Sequence, residues 1–344
     1  MAVVDFLKSY GATLVAGRVA HFGKPAQEAD GLLGGEGAFL IPLMDHGFLR
    51  LTGPDRVPFL HGLLANDVRN LEVGGVKRSL MLNVRGHALA QMTVLRRREE
   101  LLMAVEDAQG PLVTDILRAH IIFDQVELET EDATLAAFTL QGSEAGELLR
   151  KVVGGVPEEP GVFSEQTTSG GMLLLNVDVR TPTGGFDLYV PSGDAEALIA
   201  SLMAGGAHLV GQDALQTARV CAGFPSAARE GGEGVLPQEA GLTGEVSFDK
   251  GCYLGQEIMA RVKARGSLHR QLTGLRLSAV PITAERRIRF HGRRVGQLGT
   301  VVDYSSLGVI ALAVLRDDLP SGAELEVGGV RGWRVELPFV AFDT

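Results

Sequence analysis

The stretch Phe248-Asp249-Lys250-Gly251-Cys252-Tyr253-Leu254-Gly255-Gln256-Glu257-Ile258-Met259-Ala260-Arg261 decides how the rest of the chain is read. A loop closing with Gly251 delivers Cys252 just before a helix. Ile258, Met259 and Val262 give that helix a buried stripe at helical spacing. A thiol there lies near exposed backbone N–H groups, near the positive helix end and beside Lys250, and all three favour thiolate over thiol. Gln256 and Glu257, in the first turn, are placed to orient a ligand or to cap the helix. A lone cysteine is most often a small core residue. Cys221, in the apolar run Arg219-Val220-Cys221-Ala222, reads that way and is expected on a strand. Cys252 has Lys, Gly, Tyr, Gln and Glu around it, so on residue types alone a reactive role and a structural one both stay open.

Outward from this segment, a short pattern occurs twice. Leu51-Thr52-Gly53-Pro54-Asp55 leads into Arg56-Val57-Pro58-Phe59-Leu60, and Leu140-Gln141-Gly142-Ser143-Glu144 leads into Ala145-Gly146-Glu147-Leu148-Leu149. Each reads as strand, glycine turn, acidic residue, then amphipathic helix, with the acid facing the positive end of the helix dipole. Two related α/β lobes are expected. Between and after the repeats, strands are predicted over 79–84, 88–95, 99–105 and 125–129, helices over 112–121 and 195–203, and a hairpin pairing 173–179 with 186–190. The run 212–220 reads as helix continuing into strand. Beyond about residue 270 the pattern changes to short alternating runs, at 272–277, 294–302, 309–314 and 324–327, separated by glycine-rich turns. That is the pattern of a small all-β barrel or sandwich.

Composition narrows the function classes. The chain has 344 residues, 45% hydrophobic and 22% charged, which is ordinary globular composition. No run approaches the roughly 18–20 unbroken apolar residues of a membrane span. Met1 to Phe6 lacks the basic start of a secretory signal. With two cysteines there is no disulfide framework, and a cytoplasmic location is the expectation. Neither cysteine sits in a metal-binding spacing, so no metal site is expected. The formal net charge of −10 speaks against stable nucleic-acid binding by the surface as a whole.

Lys250-Gly251-Cys252-Tyr253-x-Gly255-Gln256-Glu257 resembles the K-G-C-[FY]-x-G-Q-E signature of the YgfZ family, and the likeness continues through Ala260-Arg261-Val262-Lys263-Ala264-Arg265-Gly266. Phe59-Leu60-His61-Gly62-Leu63-Leu64-Ala65-Asn66-Asp67-Val68 is similar to the F-L-x-x-L-x-x-N-D-V helix of the broader folate-binding T-protein superfamily. Leu80-Met81-Leu82-Asn83 with Gly86, and Leu236-Pro237-Gln238-Glu239, also match its segments. The similarity spans roughly residues 45 to 315.

This resemblance implies an α+β fold. Two interwoven α/β lobes, over residues 1–270, and a C-terminal β-barrel, over 271–344, would surround a central channel for tetrahydrofolate or a derivative. A pterin ring presents two parallel N–H donors, which a carboxylate accepts as a bidentate pair. Gly185-Phe186-Asp187 matches the relatives' G-[FY]-E segment, so the resemblance makes Asp187 a folate ligand. The alternative is an exposed strand residue. Arg219 stands where the relatives place an arginine near folate, to pair with the glutamyl tail or with Asp187, or simply in a salt bridge. Arg78 and Arg180 replace the tyrosines that flank the pterin. The T-protein's acidic pair corresponds to Ala90 and Gln91, neither of which can act as acid or base.

Aminomethyl transfer is therefore not expected. The family points instead to a folate-dependent accessory protein for iron–sulfur cluster assembly or repair, serving iron–sulfur enzymes that include tRNA-modifying ones. Cys252 would be its essential group, and Lys250 would lower that thiol's pKa. Gly251, Tyr253, Gly255, Gln256 and Glu257 would support the motif. Whether the chain is itself an enzyme stays open. A folate-dependent aminomethyl or other one-carbon transferase is the alternative, and a non-catalytic folate sensor is the second. A single cysteine cannot by itself hold a four-cysteine cluster.

Overall fold

The computed structural model describes residues 2–265 and 268–341, and the side chains of 262–265 lie outside the described part, Val262 among them. Two sheets dominate the first three quarters of the chain, one wholly antiparallel and one antiparallel except for its edge strand His208–Leu209, which runs parallel to Phe39–Pro42. The chain contributes Phe39–Pro42 to a six-stranded sheet, then leaves to build a five-stranded one. That second sheet runs Val76–Leu82, Ala88–Arg96, Leu101–Val105, Gly47–Thr52, Glu127–Thr130 in spatial order. The chain then returns to complete the first sheet with Leu135–Gln141, Phe163–Thr167, Met172–Val177, Gly185–Pro191 and His208–Leu209. The lobes are interwoven in this literal sense. The five-stranded sheet, residues 47–130, is an insertion between the first strand of the six-stranded sheet and the rest of it.

Period-two alternation assigns each face. Along Gly185–Pro191, Phe186, Leu188 and Val190 join an outer core with the helices Ala145–Val153 and Ala195–Ala204. Asp187 and Tyr189 point the other way, toward the five-stranded sheet. There Tyr189 meets Phe48 edge-on with ring centroids 5.4 Å apart. On the opposing sheet, Val76 and Leu95 face inward, while Met81, Met92 and Val94 pack outward against the helices Arg56–Leu63 and Gly110–His120. The inter-sheet space is thus apolar around Phe48, Leu174 and Tyr189, and polar where Arg78, Gln91, Thr93, Asn176 and Asp187 alternate inward.

Both repeats build a strand, a turn and a helix, one in each sheet. The acids do not cap their helices with side-chain hydrogen bonds; Asp55 instead accepts from the Gln125 N–H at 2.8 Å. Gly142 has φ 114°, and a Cβ on it would lie 2.4 Å from the Gly37 carbonyl oxygen. Its own N–H donates to the Gly184 carbonyl, tying the turn to the hairpin that carries Asp187.

After residue 270 the strands Arg270–Leu277, Gly308–Arg316, Arg293–Tyr304, Arg287–Phe290, Glu324–Val327 and Val330–Val335 close into a barrel in that spatial order. Arg287–Phe290 and Val330–Val335 are too short and too rich in arginine to stand out by pattern. One expectation is corrected. The run 212–220 does not turn into a strand but continues as a helix, Gln212–Ala222, ended by left-handed Gly223. Cys221 sits buried in its last turn against Ile310 and Leu312 of the barrel, and burial pushes its thiol pKa up to about 11. Leu215, Ala218 and Cys221, at helical spacing, form a continuous inner stripe that outweighs the local β-propensity of Val220.

Gly142→Ala must force a side chain into a positive φ and onto a carbonyl. It is expected to destabilise the protein by roughly 2–3 kcal/mol in denaturant unfolding.

Candidate functional site

The polar end of the inter-sheet space holds a network of buried charges. Arg180 grips Asp187 with two parallel bonds, Nε to Oδ1 at 2.8 Å and Nη2 to Oδ2 at 2.7 Å, and reaches Glu106 Oε1 at 3.1 Å. Arg78 binds Asp178 Oδ2 at 2.8 Å, Glu106 Oε1 at 3.2 Å and Glu245 Oε1 at 3.2 Å. The local sequence explains the positions. Gln141, beside the turn glycine of the second repeat, donates to the Asp178 carbonyl at 3.2 Å and accepts from the Arg180 N–H at 3.3 Å. That fixes the loop from which Asp178 and Arg180 project.

Burial alone would raise the pKa of every acid here. For Asp187 and Glu106 the adjacent guanidiniums outweigh it, Arg180 on the first and Arg180 with Arg78 on the second, and both carboxyls are held below the usual carboxylate range. For Asp178 and Glu245 burial wins and the pKa is raised.

Two chambers adjoin this network. A cleft of about 550 Å³ is walled by both sheets and by the 241–245 segment. A smaller pocket of about 90 Å³ is lined by His46, Glu106, Asp107, Arg180, Arg219 and Ser226. Arg78, Val179, Phe224 and Pro225 stand between them, belonging to both walls. The larger volume is in the range of small-molecule sites, about 300–1,000 Å³.

Each residue singled out in the sequence has a definite place. Asp187 is completely buried, which removes its reading as an exposed strand residue. Arg78 and Arg180 join Asp187 in one network. Arg219 does not reach Asp187; its helix turns it toward the barrel. There it donates to Glu230 Oε2 at 3.0 Å, to the Phe224 carbonyl at 2.8 Å and to Thr300 Oγ1. Ala90 is buried, and Gln91 donates to Glu245 Oε1 at 2.7 Å. The residues that sequence reasoning missed are Glu106, Asp178, Glu245 and His46. Glu106 carried a signal, an acid directly after the wholly apolar strand Leu101–Val105. The others come from turns and loops whose burial only the tertiary fold creates.

The signature segment divides into anchors and exposed groups. Lys250 is buried, and its ammonium donates to the carbonyls of His61, Leu64 and Asn66 at 2.5, 2.5 and 3.2 Å while lying 4.8 Å from the Tyr253 ring centroid. Burial pushes its pKa down to about 8, and the three carbonyls favour the charged form. Tyr253 and Met259 are core residues. Gly255, at φ 81°, packs against the turn at 83–86, where a Cβ would come within 2.6 Å of the Asn83 carbonyl oxygen. Gln256 reaches the Lys250 carbonyl at 3.4 Å, the outer limit of a hydrogen bond. Gly251, Cys252 and Glu257 are exposed, and Cys252 is absent from the walls of both chambers. Cys252 lies seven positions after Glu245 of the cleft wall, at most about 25 Å of chain.

Lys250→Met would leave three carbonyls without their donor, and a loss of roughly 2–4 kcal/mol is expected in denaturant unfolding, against at most about 0.5 kcal/mol for Cys252→Ala. Arg180→Met would strand the Asp187 carboxylate. In the wild type, the contribution of Asp187 is complete above its ordinary pKa of 3.8 and is lost as pH falls through its lower folded value. In the variant, the folded pKa rises above the ordinary value, so this contribution reverses sign and stability at pH 5 gains on stability at pH 7. A neutral-pH loss of about 3–5 kcal/mol accompanies that reversal.

Comparison with known proteins puts this geometry in a family. The GCVT N-terminal domain model matches residues 36–250. An aminomethyltransferase of Thermotoga petrophila is 29% identical over 299 residues, 84% of this chain and 81% of that protein. The tRNA-modifying protein YgfZ of Yersinia pestis is 28% identical over 296 residues, 84% of this chain and 87% of the relative. Among solved structures, the glycine cleavage aminomethyltransferase T of Bartonella henselae superposes with a TM-score of 0.84 at 20% identity, covering 99% of this chain and 97% of that one. With more than half of its length matched by the family model and the T-protein fold present from end to end, the chain belongs to the GCVT domain family.

Proposed function

We propose that the chain binds tetrahydrofolate or a derivative in the cleft between the two sheets. It acts in the cytoplasm as an accessory protein for iron–sulfur cluster assembly or repair, and the enzymes it serves include tRNA-modifying ones. Cys252 is the group on which that role depends. The observation that carries this reading is a cleft of ligand size, with charged and polar residues in its wall, whose 241–245 segment runs on in sequence to an exposed thiol. Lys250, Tyr253 and Gly255 are absorbed in holding the Cys252 loop, which leaves the thiol as the strongest nucleophile of the signature facing solvent. The likeness to proteins named for tRNA modification supports the same reading. Among the described residues, no helix is long and apolar enough to cross a membrane.

One observation favours a one-carbon transferase as a second reading. Ala90 and Gln91 lack carboxyls, but Glu245 brings one to Gln91 from another part of the chain. If that reading is right, the protein turns over an aminomethyl-carrier substrate with tetrahydrofolate, and Asp187→Asn abolishes the reaction.

In cells lacking their own copy of the protein, the wild-type chain is expected to restore iron–sulfur enzyme activity, including that of a tRNA-modifying enzyme, and Cys252→Ala is not. Full restoration by Cys252→Ala at equal expression would reduce the protein to a folate sensor. Folate binding is read separately. At a concentration about 100 times its Kd, 5-formyltetrahydrofolate should stabilise the native state by about 2.7 kcal/mol, seen as a rise of several degrees in Tm for both wild type and Cys252→Ala.

A further inference from the structure

Three residues that line the 550 Å³ cleft each carry a buried polar atom with no hydrogen-bond partner among the described residues: Thr93 Oγ1, Asn176 Oδ1 and Glu245 Oε2. They come from three different parts of the chain, and each is the direct neighbour of a charged group whose bonds are already made. Thr93 is the cross-strand partner of Arg78, and Asn176 is the cross-strand partner of Asp187. Glu245 commits its other oxygen to Arg78 and Gln91. The amide nitrogen of Asn176 faces the Val177 carbonyl at 3.5 Å, so its oxygen is the atom left without a partner. Buried polar groups in native proteins are almost always paired, so three orphans carried by residues that line one cavity mark a place where a ligand supplies the missing partners.

We infer that Thr93, Asn176 and Glu245 form the edge that reads the amino-bearing side of the pteridine ring. This rests on the folate reading above and departs from the expectation that Asp187 makes that contact. Asp187 has both oxygens bound by Arg180 and cannot accept two further N–H groups without giving that pair up. The free set consists of two acceptors, Asn176 Oδ1 and Glu245 Oε2, and one hydroxyl able to donate or accept. A 2-amino-4-oxo pteridine presents the complement, the 2-amino N–H and the ring N3–H as donors with O4 as an acceptor. Changing the 2-amino group to a carbonyl would set an oxygen against the acceptors. Burial raises the pKa of Glu245, so its carboxylate gains most from a donor brought by the ligand.

The test is calorimetric titration of the full chain with 5-formyltetrahydrofolate and with the pair pterin-6-carboxylate and lumazine-6-carboxylate, which differ in the 2-amino group. Wild type is expected to prefer the pterin by at least about tenfold. Glu245→Gln should weaken pterin binding by about tenfold and erase most of the preference, and Thr93→Val should weaken it severalfold. A merely structural role would lower the Tm of the ligand-free variants and leave the pterin-to-lumazine ratio unchanged. If wild type binds 5-formyltetrahydrofolate and both variants keep its Kd and the same ratio, this assignment is overturned while the folate reading stands. If wild type binds none of the three compounds, the folate reading falls and this assignment with it. Should Glu245→Gln fail to fold, Thr93→Val, which leaves every ion pair intact, decides alone, and an unchanged Kd overturns the assignment.

Discussion

The bidentate pair between Arg180 and Asp187, completely buried between two sheets, is the interaction on which the rest of this structure turns. A charge at that depth is tolerated only when paired and hydrogen-bonded. The network that meets this condition also interlocks the lobes. Arg180, from the six-stranded sheet's hairpin, reaches Glu106 at the end of a strand of the other sheet, and Arg78, on that other sheet, reaches back to Asp178. Each guanidinium therefore bridges the two halves. Loss of either would leave uncompensated charge on both sides, so the relative placement of the sheets and the ionisation of the cluster are one problem.

That cluster is short of positive charge. Two guanidiniums face the carboxyls of Glu106, Asp178, Asp187 and Glu245, and the pKa values divide accordingly, two lowered and two raised by burial. The raised pair marks the side toward the larger cleft, since Asp178 and Glu245 both line it. An excess of acceptors at a cavity wall sets a preference among ligands. Groups rich in N–H are welcome there, and an anionic end would be repelled. A ligand with a donor-bearing ring and an acidic tail is thereby given a direction, ring inward and tail out.

How much of this was legible in the residues depended on the range of the interactions. The closed barrel and the hairpin around residue 182 follow from local alternation and turn chemistry, and the Gly142 turn was visible as half of a repeat. The face of Asp187 was also readable, since Phe186 and Leu188 must share the opposite side of its strand. Its burial was not. Whether an inward-facing carboxylate meets water or an arginine depends on a second sheet built from residues far away in sequence. Glu245 was invisible for the same reason, because the 3₁₀ turn Thr243–Glu245 becomes a cleft wall only through long-range contacts such as the bond from Asn66 Nδ2 to the Gly244 carbonyl. Cys221 was misplaced because its helix was read as ending in a strand, whereas Arg219, one of whose readings was a plain salt bridge, makes one with Glu230.

The signature segment shows why a strong motif can be right about ancestry and silent about chemistry. Lys250, Tyr253, Gly255 and Gln256 form one anchoring device, a buried ammonium over an aromatic ring with a glycine pressed against the turn at 83–86. Such a device is costly to change piecemeal, because Lys250 without its three carbonyls is a buried bare charge, and the carbonyls without Lys250 are buried orphans. The same physics that fixes these positions leaves Cys252 and Glu257 outside the device, in solvent, where nothing in the packing requires either side chain. A residue that the fold does not need, standing among residues that the fold cannot spare, is the one whose identity chemistry outside the chain must explain.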